Sequence, residues 1–140
     1  MVTFWKLELR KDGKAVAREL GRNALVLSGF SVTTLAFLLS QYQVSLLLAA
    51  RSSLLSLALY FLVSELARNS VYYWEYAASD CLYVFASIVL FSTIAYVVYL
   101  LQLGVEVFAL FTAVIALLAI SLIYSLCGLR RLYKQSVKKR

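Results

Sequence analysis

The chain has 140 residues, of which 63% are hydrophobic and 15% are charged, and its formal net charge is +7. Soluble globular domains are roughly half apolar and about a quarter charged, so this composition excludes an ordinary soluble fold. The absence of histidine excludes His-based acid–base catalysis and His-containing metal sites, and the two cysteines are too few for a disulfide framework. We therefore expect an all-α integral membrane protein without a metal or cofactor.

Residues 1–22 are predicted to form a short, basic amphipathic arm. Apolar and charged residues alternate over 3–11, which is typical of a strand, and Asp12-Gly13 is a turn signal. An isolated strand is unstable, so this segment needs a partner chain or lies at the membrane surface, where Trp5 anchors it among the headgroups. A short interfacial helix is expected to lead from the arm into the first span.

Four long apolar runs follow within a predicted membrane domain at 23–128. Each approaches the ~20 residues that a helix needs to cross a bilayer. The predicted spans are 23–40, 44–66, 81–103 and 105–127. Because the polar breaks between spans 1 and 2 and between spans 3 and 4 are only a few residues long, we predict two tight helical hairpins.

Local signals mark the ends of the last two spans. Ser79 or Asp80 is placed to cap span 3, and Gly104 suits the position just past its end. Glu106 falls in the first turn of span 4, where the helix dipole favours a negative charge, and Gly128 suits the end of that span.

Basic residues are concentrated before the first span and in the tail at 129–140, which predicts that both termini are cytoplasmic, by default at the cell membrane. These residues are Lys6, Arg10, Lys11, Lys14, Arg18 and Arg22 before the first span, and Arg130, Arg131, Lys134, Lys138, Lys139 and Arg140 after the last. Both tails are expected to attract anionic lipid headgroups rather than nucleic acid.

Arg51 lies about seven residues into predicted span 2. A charge near the centre of a spanning helix is unfavourable by at least ~2.5 kcal/mol, so it needs a partner or an escape route. Three interpretations stay open: the side chain extends to the outer interface, it pairs with Glu106 and joins spans 2 and 4, or it binds an anionic substrate group or a partner's carboxylate.

Two further groups are placed near the predicted inner face. Glu65 and Arg68 are three residues apart on one helix face, which predicts a local ion pair. Four aromatic residues between spans 2 and 3 favour an interfacial aromatic belt, with a ligand cage as the alternative. They are Tyr72, Tyr73, Trp74 and Tyr76.

Small residues at three- and four-residue spacing predict close helix packing in two of the spans. In span 2 they are Ser45, Ala49, Ser52, Ser53 and Ser56, and in span 4 they are Ala109, Thr112, Ala113, Ala116 and Ala119. Packing within the chain, packing on a partner and packing on a second copy stay open.

In its four-span size, basic start, two hairpins and basic segment after each hairpin, the chain resembles the GtrA-like family over about 24–133. Those small membrane proteins are associated with moving or elongating lipid-linked sugars. The family has an Asn-rich stretch and an aromatic motif after its second and fourth spans. ARNSVYYW approximates the first at a different spacing, and CGLRRLY lacks the asparagine of the second. No residue role is therefore carried over.

The sequence favours a non-catalytic accessory, assembly or scaffold subunit of a membrane complex, or a small homo-oligomer. The reasons are the missing catalytic motifs, the small-residue faces and the arm that needs a neighbour. The alternative is a small carrier or flippase for an anionic lipid-linked substrate, with Arg51 as the anion contact.

Overall fold

The computed structural model describes residues 8–9, 11–41, 46–102 and 104–138, and within helices it describes only the backbone of Asp12, Gln41 and 128–138. The four helices are α1 (Lys11–Gln41), α2 (Leu47–Asn69), α3 (Tyr73–Leu100) and α4 (Val105–Lys138). Each contains a segment long and apolar enough to cross a membrane. The architecture is therefore that of an all-α, multi-pass membrane protein.

The surface of the helices is largely apolar, unlike that of a soluble protein. Large apolar side chains such as Phe30, Leu48 and Leu117 are more than half exposed. The buried polar side chains are Ser28, Ser31, Ser53, Ser56, Ser64, Ser70, Ser79, Ser87 and Thr93. Lipid tails are as apolar as leucine, so large apolar groups gain little by leaving them, whereas small residues let helices approach closely. This pattern fits helices surrounded by lipid.

Helices α1 and α2 pack antiparallel along two stripes that repeat at alternating three- and four-residue spacing. The buried stripe of α1 is Ala17, Gly21, Ala24, Ser28 and Ser31, and that of α2 is Ala49, Ser53, Ser56, Tyr60, Val63 and Ala67. Ser53 Oγ donates a hydrogen bond to the carbonyl oxygen of Ser31 at 3.0 Å, and the hydroxyls of Ser31 and Ser56 are 3.1 Å apart. Serine hydroxyls therefore join the two helices at mid-depth.

Helix α3 completes a three-helix core. The Tyr60 hydroxyl of α2 donates to Ser87 Oγ of α3 at 3.0 Å, and the Tyr60 ring meets the edge of Tyr83 with centroids 6.0 Å apart. Nearer the other end, the Thr93 hydroxyl donates to Ser52 Oγ at 2.8 Å. The core cluster enclosed by the three helices is Ala24, Tyr60, Val63, Ala86 and Leu90. Among the described residues, no buried side-chain polar atom lacks a hydrogen-bond partner.

Helix α4 stands outside this core and lies along α3. The Phe91 and Phe111 rings are 6.2 Å apart, and Ser125 Oγ donates to Asp80 Oδ2 at 2.8 Å. Within the described part of the chain, the extensive packing of α4 is on α3. No residue from Val105 to Cys127 is fully buried.

Two helix starts differ from the sequence prediction. Asp12-Gly13 is not a turn, because α1 runs from Lys11 through Gln41 without a break. Helix α3 begins at Tyr73 rather than near position 81, so neither Ser79 nor Asp80 caps it. The cause is Glu75, whose Oε2 accepts the backbone N–H groups of Val71 at 2.7 Å and Tyr72 at 3.1 Å. A carboxylate in the first turn satisfies donors that a helix start otherwise leaves unpaired.

The helix ends agree in part. Helix α3 ends at Leu100, four residues before Gly104, and Gln102 has a positive φ of 51° in the turn that follows. Gly104 lies directly before α4 with a φ of 109°, a conformation that glycine adopts without strain. Glu106 lies in the first turn of α4, as predicted. Gly128 does not end the last helix, because α4 continues to Lys138.

The described part of the arm finds a partner in its own chain. Glu8 forms an isolated antiparallel bridge with Tyr72, and the Leu9 N–H donates to the carbonyl of Val71 at 2.9 Å. Glu75 holds the amides of the same two loop residues. The arm and the α2–α3 connection are therefore fixed to each other at the end of the molecule where α1 begins.

Candidate functional site

A basic cleft opens between α1 and α2 at this same end. It has a volume of about 680 Å³. One wall carries Arg18, Arg22 and Leu25 from successive turns of α1, and the other comes from the last turns of α2. The complete lining is Arg18, Gly21, Arg22, Leu25, Phe61, Ser64, Glu65, Arg68 and Asn69. Helical periodicity places each set on one face of its helix.

The floor of the cleft is a close approach of the two backbones. A Cβ atom on Gly21 would lie 3.3 Å from the carbonyl oxygen of Ser64 and 3.6 Å from the Ala67 Cβ. Small residues permit this contact. The cleft opens beside this contact, and charged side chains of both helices line it.

The cleft carries an excess of positive charge. Three guanidinium groups line it against the single carboxylate of Glu65. Glu65 Oε2 accepts a hydrogen bond from the Asn69 amide at 3.4 Å, one turn further along α2. The predicted partners Glu65 and Arg68 line the same cleft, and their ion pair stays a prediction. With three positive charges and one negative charge, the lining has a formal charge of +2.

The cleft lies where the apolar part of the helices begins. Beyond Arg22, α1 has no charged residue from Asn23 to Ser40, 18 residues that span ~27 Å at helical rise. That length is close to the ~30 Å hydrocarbon core of a bilayer. Leu25 and Phe61 are the lining residues furthest along the helices towards the expected bilayer centre. The side chain of each is about half exposed. The lining therefore grades from charged to apolar with depth.

Arg51 and Glu106 are not brought together. Arg51 is exposed in the second turn of α2, and Glu106 is exposed in the first turn of α4. The extensive packing of α4 is on α3, and no ion pair joins these two side chains in the described residues. The three interpretations of Arg51 stay predictions. In the described residues, no contact supports its pairing with Glu106.

The predicted aromatic group is divided between a loop and a helix. Tyr72 precedes α3, while Tyr73, Trp74 and Tyr76 occupy its first turns, and all four are partly buried. The rings of Tyr73 and Tyr76 meet at 6.3 Å with an interplanar angle of 68°. Trp5 lies outside the described residues. The role of these rings as membrane anchors stays a prediction.

The two predicted small-residue faces have different environments. Ala49, Ser53 and Ser56 of α2 are buried, and Ser53 and Ser56 contact Ser31 of α1. Ser52 contacts Thr93 of α3 instead, and Ser45 lies outside the described residues. In contrast, the α4 set is largely exposed, with Ala109, Thr112, Ala113 and Ala116 at the surface of the chain. The true partner of α2 is the stripe on α1, which the sequence prediction missed. Its signal was present, because Ala17, Gly21, Ala24, Ser28 and Ser31 recur at the same spacing.

Asp80 was predicted as a possible cap of span 3, but it lies inside α3. It lies eight residues into α3, partly buried, with its Oδ2 bonded to the Ser125 hydroxyl of α4. The neighbouring Cys81 is a free thiol, as is the exposed Cys127. Within the described residues, no group of three or more His, Cys, Asp or Glu side chains is arranged to hold a metal ion.

Comparison with known proteins found no matching family model, no matching curated protein and no matching solved structure. The resemblance to the GtrA-like family gains no support from this result. Two features of the structure bear on function, the basic cleft and the exposed face of α4.

Proposed function

We propose that this chain is a non-catalytic membrane subunit that serves the assembly or scaffolding of a membrane complex, or that self-associates into a small homo-oligomer. The observation that carries the proposal is the outward face of α4. At ~100° per residue, Ala109, Ala113 and Ala116 fall within an arc of ~60°, roughly opposite to Leu118 and Ser125 on the side that meets α3.

A helix that meets only lipid has no need of small residues on that face, whereas a helix that meets another helix does. All three alanines are exposed. A second helix is therefore expected to pack on this stripe. The arrangement we propose around it is two tight hairpins, with both termini on the cytoplasmic side where the basic residues are concentrated.

The experiment is a measurement of native mass after gentle extraction from the membrane, for the unmodified chain and for Ala113→Leu. The added side chain obstructs close helix approach, so the complex is expected to dissociate while the monomer remains folded by far-UV circular dichroism. The matched control is Ala36→Leu, at an exposed position of α1. A monomeric unmodified chain, or equal dissociation in the control, contradicts the proposal.

The second candidate is a small carrier or flippase for an anionic lipid-linked substrate. Its support is that Arg51 is exposed on the same broad face of α2 as Glu65, at the opposite end of the helix. This function predicts that Arg51→Lys retains part of the transport and that Arg51→Gln abolishes it at equal expression. Unchanged transport in Arg51→Gln removes the role of Arg51.

A further inference from the structure

We infer that the cleft between α1 and α2 is a binding site for the phosphate group of an anionic membrane lipid, held by Arg18, Arg22 and Arg68. This site goes beyond the proposed subunit function and does not depend on it, because none of its residues lies on α4. The cleft volume of about 680 Å³ falls within the ~300–1,000 Å³ of typical small-molecule sites.

The charge of the lining selects an anion. Arginine presents a planar fork of donors that matches phosphate oxygens in pairs, and its guanidinium is always charged. In the described residues, no ion pair to a carboxylate occupies the three guanidinium groups. Glu65 is instead bonded to Asn69. The lining charge of +2 is thus available to a phosphate, which carries about −1.5 to −2 as a monoester.

The position of the cleft selects a lipid over a soluble anion. Arg18 and Arg68 each lie seven residues, or about two turns, along their helices from the exposed apolar side chains of Leu25 and Phe61, respectively. A lipid bound with its phosphate at the arginines would lay the start of its acyl chains on these two residues. A free phosphate has no apolar part that would contact these two residues. The side chain order therefore matches the order of groups in a lipid.

The rigid floor makes this a defined site rather than a general basic surface. Gly21 holds the two backbones in close contact beneath the arginines, with Ala17 and Ala67 buried beside it. The bases of the three arginine side chains are therefore fixed relative to one another.

The test is an equilibrium titration of the purified full chain in detergent with fluorescently labelled phosphatidic acid. Arg22→Gln and Arg68→Gln are each expected to weaken binding about tenfold, because each removes a charge-assisted contact. Glu65→Gln is expected to strengthen binding about threefold, because it removes the only carboxylate of the lining. Far-UV circular dichroism checks that each variant is folded, and the arginines are exposed, so their loss leaves the core intact.

The matched control is Lys14→Gln, which removes the same charge one turn before Arg18 at an exposed position outside the cleft. It should change the affinity less than twofold. A loss in Lys14→Gln equal to that in Arg68→Gln overturns the site, because attraction would then depend on net charge alone. Weaker binding in Glu65→Gln, or displacement of the lipid by equimolar inorganic phosphate, overturns it as well.

Discussion

The serine contact between α1 and α2 offers the sharpest test of how the helices are held together. Ser53 is completely buried and donates to the Ser31 carbonyl at 3.0 Å. That carbonyl keeps its own helical partner, so Ser53→Ala leaves no orphaned acceptor. The expected loss is that of one interhelical hydrogen bond in a membrane protein, ~0.6 kcal/mol on average and ~1.7 at most.

Ser53→Leu should be considerably worse. It removes the same hydrogen bond and adds bulk at a position where the neighbouring Ser31 and Ser56 are also completely buried. Overpacking of a closed core typically costs about 1–3 kcal/mol, so the combined loss is roughly 2–4 kcal/mol.

The assay is reversible unfolding in mixed micelles by titration with sodium dodecyl sulfate, followed by far-UV circular dichroism. Ser92→Leu is the control, because Ser92 is exposed on α3 and a leucine there meets lipid. Its unfolding free energy should equal or exceed that of the unmodified chain. If Ser53→Leu is as stable as the unmodified chain, or Ser92→Leu loses as much, the packing argument is wrong.

Three further changes test the contacts that position α3. Tyr60→Phe should reduce the free energy of unfolding by about 1 kcal/mol, since it removes the hydrogen bond to Ser87 but keeps the ring, and the same titration measures it. Glu75→Gln should destabilise the start of α3 by ~1 kcal/mol, because its carboxylate accepts the Val71 amide. Hydrogen exchange at the Leu9 amide, which donates to the Val71 carbonyl, should become faster. Unchanged exchange there would mean that the arm is held by other contacts. Gly104→Ala should cost ~1 kcal/mol because its φ is 109°, and a neutral effect would show that this turn relaxes freely.

The sequence was sufficient to predict features that depend on bilayer thickness or on residues close together in the chain. Bilayer thickness requires about 20 apolar residues for each helix, and this rule predicted the four helices that are long and apolar enough to cross a membrane. Local chemistry placed Glu106 in a first turn, whereas Gly104 lies directly before α4 rather than at the end of α3. Local signals also misled the prediction. Ser79 or Asp80 was expected to cap α3, but Glu75 caps it several residues earlier.

Only the tertiary structure decided which helix faces meet. In water, a stripe of apolar residues marks the buried face, but in lipid every face is apolar and this signal is lost. Span 4 carried a small-residue stripe as clear as that of span 1, yet α2 packs on Ser31 and its neighbours, while Ala113 remains exposed. The cleft has the same origin, because Arg22 and Arg68 are far apart in sequence and meet only where α1 and α2 pack antiparallel at Gly21.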